Sequence, residues 1–363
     1  MPRIAVLVPG IMGSVLAQSD YFGGTQTIWS DDLTENYHTL IRNPGLLKWV
    51  DNPANARLMR FVNVKAGVPF TNWHVPFKKL DLWGRVIDLL HARPDIESTT
   101  EFGYDWRAPL ENSSRRLAEA LRTSIGADLT LAQSENDARL VLIAHSMGGL
   151  VVRIAIANGL IHPSWIDRII HIGTPLKGSP NAFRTAYERL NLPLFHEIFG
   201  LVRRKNKAAF EHHLLECIRT FPSLYYLMPP KEIPYLYYSQ SSRSNPLREN
   251  SMPTQHRTVA ANCHAMLERA QQMIAGHGIK VSTIYTEVHS GRPTELEYRV
   301  TPLAHELGYT IDGVHARSVY GDGTVPADSA WGESPVLGLS VINVDHMVMC
   351  NNEKVAECLN ALL

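Results

Sequence analysis

The chain has 363 residues, 45% of them hydrophobic and 19% charged, which sets it among globular rather than disordered proteins. Thirty-five basic and 35 acidic side chains cancel, so there is no bulk positive field to hold nucleic acid. Four cysteines (Cys217, Cys263, Cys350 and Cys358) are too few for a disulfide framework at this length, and no C-x-x-C pair suggests zinc or redox chemistry.

Ile4 to Val8 reads as a short apolar strand ended by Pro9-Gly10. No charged-then-apolar leader precedes it, and even residues 140–161 are interrupted by His145 and Arg153, so the expectation is a soluble, cytoplasmic chain. The section 18–75 is polar and aromatic-rich with poor periodicity, and reads as a lid-like insertion. Asp81 to His91 has Leu82, Val86, Leu89 and Leu90 on one helical face, and Asn112-Ser-Ser is a plausible cap for a helix from Arg115 to Ile125. Leu140 to Ile143 is a buried strand. Ala144-His-Ser-Met-Gly148 turns it, and Leu150 to Ala157 opens an amphipathic helix. Arg168 to Ile172 is a further short strand. From Ser179 to Met273 the pattern is helical, Pro-interrupted and strandless, so residues 180–275 read as a helical cap insertion. Strand character returns at Ile279 to Thr286 and Leu339 to Val344, before a last helix from Glu353 to Leu362. Short strands alternating with helices imply one α/β domain over residues 1–363: a mostly parallel sheet with helices on both faces.

The turn at Ser146 carries the chemistry. A small-x-Ser-x-Gly sequence between strand and helix presents a serine hydroxyl on a strained elbow, with the Met147 N–H at a helix N-terminus to bind an oxyanion. Val8-Pro-Gly-Ile-Met-Gly13 follows the first strand, and the Ile11 N–H is the candidate second donor. A serine needs a base, and the base needs an orienting acid. On such elbows the chain order is nucleophile, acid, base. His346, after the last strand, takes the place of the base. Asp322, in Gly321-Asp-Gly-Thr-Val-Pro326, is the preferred acid because its flanking glycines allow close approach. Asp345 adjoins His346 too closely for an in-line bond, and Asp328 remains a rival.

Several segments together resemble the lecithin:cholesterol acyltransferase-like α/β-hydrolases, which include lysosomal phospholipases A and phospholipid:diacylglycerol acyltransferases. They are residues 8–14, Thr27-Ile-Trp-Ser30, Phe102-Gly-Tyr-Asp-Trp-Arg107, Ala144-His-Ser-Met-Gly-Gly149, residues 173–179, Pro222-Ser-Leu-Tyr-Tyr-Leu-Met-Pro229 and residues 321–326. Tyr-Asp-Trp-Arg with Gly-Asp-Gly-Thr-Val is far more specific than the serine elbow. The resemblance implies an α/β-hydrolase fold with lid and cap insertions. It matches Ser146, Asp322 and His346 to the triad, Ile11 and Met147 to the oxyanion donors, and Trp29 to the aromatic of the lid. Asp105 and Arg107 read instead as a buried pair tying a loop to the sheet. Animal members are secreted or lysosomal and staple the lid with a disulfide, whereas the first cysteine here is Cys217.

The expected activity is a serine-dependent acyl hydrolase or acyltransferase on glycerolipid esters. A soluble esterase on small or polyketide-like esters is the alternative, and a silent hydrolase fold used for binding a third reading. No metal or organic cofactor is implied; His213 and Cys217, i and i+4 on a helix, lack a third ligand. Leu194, Phe195, Ile198, Phe199 and Val202 form an apolar stripe followed by Arg203, Arg204, Lys205 and Lys207. A cap helix packed on the core is favoured there over peripheral contact with a membrane. A lipid or small-molecule ester is the expected partner, and a regulatory protein restraining the activity is an open one.

Overall fold

Ile4–Val8 and Leu140–Ala144 contain no polar side chain, and strands of this kind are stable where both faces are covered. A computed structural model describes residues 3–19, 24–51, 54–62, 80–132, 139–187, 207–230, 236–238, 254–291, 294–302, 309–318, 320–332 and 337–363. It places both segments inside a six-stranded parallel sheet. The strands are β1 (Arg3–Val8), β2 (Ile96–Glu101), β3 (Leu140–His145), β4 (Ile166–Ile172), β5 (Lys280–Val288) and β6 (Leu337–Ile342), in the spatial order β2-β1-β3-β4-β5-β6. The register sets Val6 beside Leu142 and Ile143 beside Ile170, so branched side chains share each face.

The chain leaves β1 in one direction to form β2, then returns past β1 to form β3. Right-handed crossovers therefore put the connecting helices, Gly84–Ala92 and Leu110–Ile125, on opposite faces. Gly84–Ala92 packs with the last helix, Glu353–Leu362. Leu110–Ile125 packs against Gly148–Ala157, which in turn packs against Thr254–Gly276. Sandwiched in this way, Gly148–Ala157 is buried on every side, where the sequence suggested an amphipathic helix. The reversal of strand order opens a crevice at the carboxyl ends of β1 and β3.

Two helix starts differ from the sequence expectation. Asp81 Oδ1 accepts from the Trp83 and Gly84 N–H groups (3.1 and 2.6 Å), so Asp81 closes the turn that leads into a helix beginning only at Gly84. The next helix begins at Leu110, not Arg115. Ser114 is buried within it, its hydroxyl donating to Leu110 O and Val151 O.

The edge strand β2 was not read from the sequence because Ile-Glu-Ser-Thr-Thr-Glu is mostly polar. Within section 18–75, Thr25–Trp29 and Asn55–Leu58 flank Ser14–Ser19 in a three-stranded antiparallel sheet. A long hairpin, Thr294–Pro302 with Tyr309–Ser318, is joined in parallel by Leu236–Tyr238. That strand lies in the section read as strandless; at three residues it is too short to display a period.

Asp105 and Arg107 form a buried pair (2.8 Å). Asp105 also accepts from Ala54 N (2.8 Å), and Arg107 donates to Leu47 O and Lys48 O (both 3.2 Å), tying Leu47, Lys48 and Ala54 to the loop that follows β2. All four cysteines are free thiols. His213 bonds Ala209 O and Cys217 donates to Pro44 O, and no metal-ligating cluster occurs among the described residues. No helix among them is long and apolar enough to cross a membrane. The stripe Leu194–Val202 and residues 203–206 lie outside the described residues.

Candidate active site

At the end of β3 the chain reverses so sharply that Ser146 takes a left-handed backbone conformation (φ 53°). For a residue with a Cβ this costs about 1–3 kcal/mol, and the surroundings must hold it. They do so with Ser146 N–H donating to Ile172 O (2.9 Å) and Gly149 N–H donating to Ser146 O (3.1 Å). The glycines of the motif have steric reasons. A Cβ on Gly148 would lie 2.4 Å from Val8 O, and one on Gly149 2.4 Å from Thr174. Ala144, in the place where a glycine is usual, is fully buried without disturbing the strand.

Three side chains converge on this turn. Ser146 Oγ lies 2.8 Å from His346 Nε2, and His346 Nδ1 lies 2.6 Å from Asp322 Oδ2. A carboxylate only accepts, so Nδ1 carries the proton and Nε2 is left to accept from the serine hydroxyl. The other carboxylate oxygen of Asp322 accepts from the Thr324 and Val325 N–H groups (2.9 and 2.7 Å), which fixes its plane. Gly321, whose φ of 137° only glycine adopts freely, allows this loop to fold back on Thr294. Ser146, His346 and Asp322 are all buried. Asp345 points elsewhere: its carboxylate caps Met347 N–H (3.1 Å). Asp328 sits in the short helix Ala327–Trp331 and is not the partner of His346 Nδ1.

Ser146 and His346 open into a cleft whose wall is mainly apolar, with Met12, Leu82, Trp83, Leu224, Leu227 and Val325 along it. Ile11 lines the cleft, and Met147 is buried at the N-terminus of Gly148–Ala157. Neither N–H donates to an acceptor among the described residues, so both are available to an anion formed beside Ser146. Trp29 is not brought to the cleft. It is fully buried, edge-on to Trp106 with ring centroids 5.7 Å apart, because strand Thr25–Trp29 turns its last side chain into the core.

Sequence reasoning passed over His145. Its Nε2 is 2.9 Å from His346 O, and burial, together with the neighbouring His346, lowers its pKa to about 3. Its position next to the serine was the available signal. Trp83 and Asn181, also in the cleft wall, carried none.

The lecithin:cholesterol acyltransferase family model matches residues 78–233, a span that holds the Tyr-Asp-Trp-Arg segment, β2, β3 and the elbow. The fold is that of the α/β-hydrolases, and over this span, less than half of its length, the chain is similar to the lecithin:cholesterol acyltransferase family. A solved chain of the Tle4–Tli4 complex superposes on this chain with a TM-score of 0.61, covering 99% of this chain and 97% of that one at 12% identity. Lipase BlEst2 of Bacillus licheniformis in its mature form aligns over 99% of this chain and 91% of its own, at 11% identity and a TM-score of 0.36, too slight a likeness to argue from. The uncharacterized protein YJR098C of Saccharomyces cerevisiae is 33% identical over 96 residues, 26% of this chain. The match spans only 13% of the length of that yeast protein.

Proposed function

We propose that this α/β-hydrolase is a serine acyl hydrolase or acyltransferase acting on carboxylic esters of glycerolipids. One observation carries the reading: the Ser146–His346–Asp322 chain of hydrogen bonds opens into an apolar cleft beside two unengaged N–H groups. His346 Nε2 takes the hydroxyl proton as Ser146 Oγ bonds to the ester carbonyl carbon. The carbonyl oxygen becomes an oxyanion held by the Ile11 and Met147 N–H groups, each such donor worth roughly 3–4 kcal/mol in the transition state. Collapse breaks the ester C–O bond, and His346 returns the proton to the departing alcohol or lysolipid. Water, or an acceptor alcohol, then gives its own proton to His346 and takes the acyl group.

Hydrolysis and transfer use the same residues, and the acceptor alone separates them. Helical segments within residues 180–275 contribute Asn181, Ala182, Leu224 and Leu227 to the cleft wall, in keeping with a cap that shelters an acyl chain. A small-ester carboxylesterase would share the relay but gain nothing from aggregated substrate. A second protein that restrains the activity is compatible with the likeness to a chain solved in a two-protein complex. Fluorophosphonate labelling abolished in Ser146→Ala, with faster turnover of micellar than of dispersed ester, is the expected result. Labelling that survives in Ser146→Ala would end the reading, and a preference for dispersed ester would favour the carboxylesterase.

A further inference from the structure

The elbow sends two consecutive side chains to the two ends of one residue. Ser146 Oγ meets the ring of His346 at 2.8 Å, while His145 Nε2 meets the His346 carbonyl oxygen at 2.9 Å. A carbonyl oxygen only accepts, so the His145 ring is the Nε2–H tautomer and donates. The imidazoles of His145 and His346 lie 4.9 Å apart at 38°, and Trp83 stands edge-on to His145 at 6.2 Å. On its other side, His346 N–H donates to Asp322 O at 3.1 Å. The backbone of His346 is therefore held at its N–H by the loop bearing Asp322 and at its carbonyl by His145, the last residue of β3.

We propose that His145 is a positioning residue for the acyl transfer, donating Nε2–H to the His346 carbonyl so that the His346 ring stays within reach of Ser146 Oγ. This rests on the assignment of Ser146, His346 and Asp322 as the triad. Burial, the largest influence on His145, and the neighbouring His346 both disfavour an imidazolium there, and together they outweigh the bond to the His346 carbonyl and the charge of Asp322, which favour one. The ring thus stays neutral while His346 gains and loses its proton in each cycle, and the tether survives each step. Reach matters because a displacement of about 1 Å at a reacting pair costs on the order of a hundredfold in rate.

The test compares His145→Phe, which keeps a flat ring without a donor, with His145→Gln, whose Nε2 amide can reach the same carbonyl. Each is assayed with a soluble nitrophenyl ester, fluorophosphonate labelling, thermal melting and the downfield proton resonance of His346 Nδ1–H. The expected outcome for Phe is a kcat lower by about ten- to a hundredfold, with KM and melting midpoint near those of the parent and the Nδ1–H resonance broadened. Gln restores kcat to within a few-fold. If Phe does not fold, His145→Leu takes its place in the comparison. A parental kcat in the donor-less variant, a Gln variant as slow as it, or a loss confined to KM would each overturn the proposal. Labelling that persists in Ser146→Ala would instead overturn the triad assignment, whatever the His145 variants do.

Discussion

Gly10 and Ser146 approach so closely that a Cβ on Gly10 would lie 2.6 Å from Ser146 Cβ and 3.1 Å from its Oγ. The turn after β1 and the elbow after β3 are therefore fitted to each other, and the hydroxyl stands where only a hydrogen can face it. Gly10→Ala must push either the serine or the loop bearing Ile11. Both movements damage the reaction: one spoils the bond to His346, the other the oxyanion donor. A kcat lower by roughly a hundredfold is expected, with labelling slowed in parallel and the fold intact by circular dichroism. Parental kcat in this variant would show that the two turns have slack.

Asp322→Asn tests the acid. An amide at this position would turn an N–H towards His346 Nδ1 and force the ring's proton onto Nε2, where it can no longer accept from Ser146. By analogy with other triads the loss in kcat is about 10⁴-fold with folding preserved. Asp328→Asn is expected to stay within a few-fold of the parent. If the two variants exchanged their effects, the role of acid would move to Asp328.

What was legible in the sequence was what local chemistry dictates. The elbow could be read because a run of Leu, Val and Ile, a turn of small residues and a helix follow one another within about twenty residues. Strand β2 could not, because a half-polar edge segment satisfies its backbone through β1, which lies far back in the chain. Asp322 was preferred over Asp328 on loop composition; the carboxylate's bonds to the Thr324 and Val325 N–H groups emerge only once that loop folds. His145 was passed over for a similar reason, since its partner is 201 residues away. The long helix Thr254–Gly276 buries Ala260, Cys263, Leu267, Ala270 and Ile274, a stripe too narrow to stand out before its contact with Gly148–Ala157 is known.

The pair Asp105–Arg107 makes a prediction about stability rather than turnover. Both side chains are almost wholly buried, and Arg107 also serves the carbonyls of Leu47 and Lys48. Asp105→Asn keeps the shape and the acceptor for Ala54 N–H but leaves a buried guanidinium without its counter-charge. Breaking one side of such a pair costs about 3–5 kcal/mol, read as a lower denaturant midpoint. Neither residue lines the cleft, so molecules that remain folded should label at the parental rate. A midpoint unchanged in Asp105→Asn would mean that the peptide carbonyls alone satisfy Arg107.

Burial depresses His145, His171 and His256, and the first and last of these predict how stability varies with pH. Burial and His346 hold His145 at about 3, and burial holds His256 at about 4, against an ordinary value of 6.5. His256 lies stacked on Tyr225 at 3.7 Å, with its Nδ1 2.8 Å from Tyr187 OH and Gln255 beside its Nε2. Below pH 6.5 the unfolded chain binds protons on these rings while the folded chain does not. Their contribution is therefore complete above that pH, erodes as the pH falls through the interval, and is lost below the folded values. For His145 the slope approaches about 1.4 kcal/mol per pH unit at most. Urea midpoints measured from about pH 7.5 down to pH 5 should fall in the parent and fall less in His145→Gln and His256→Gln. The difference between parent and variant cancels the titration of the carboxylates, which all the proteins share. Parallel midpoint curves would show that these rings take up protons as readily folded as unfolded.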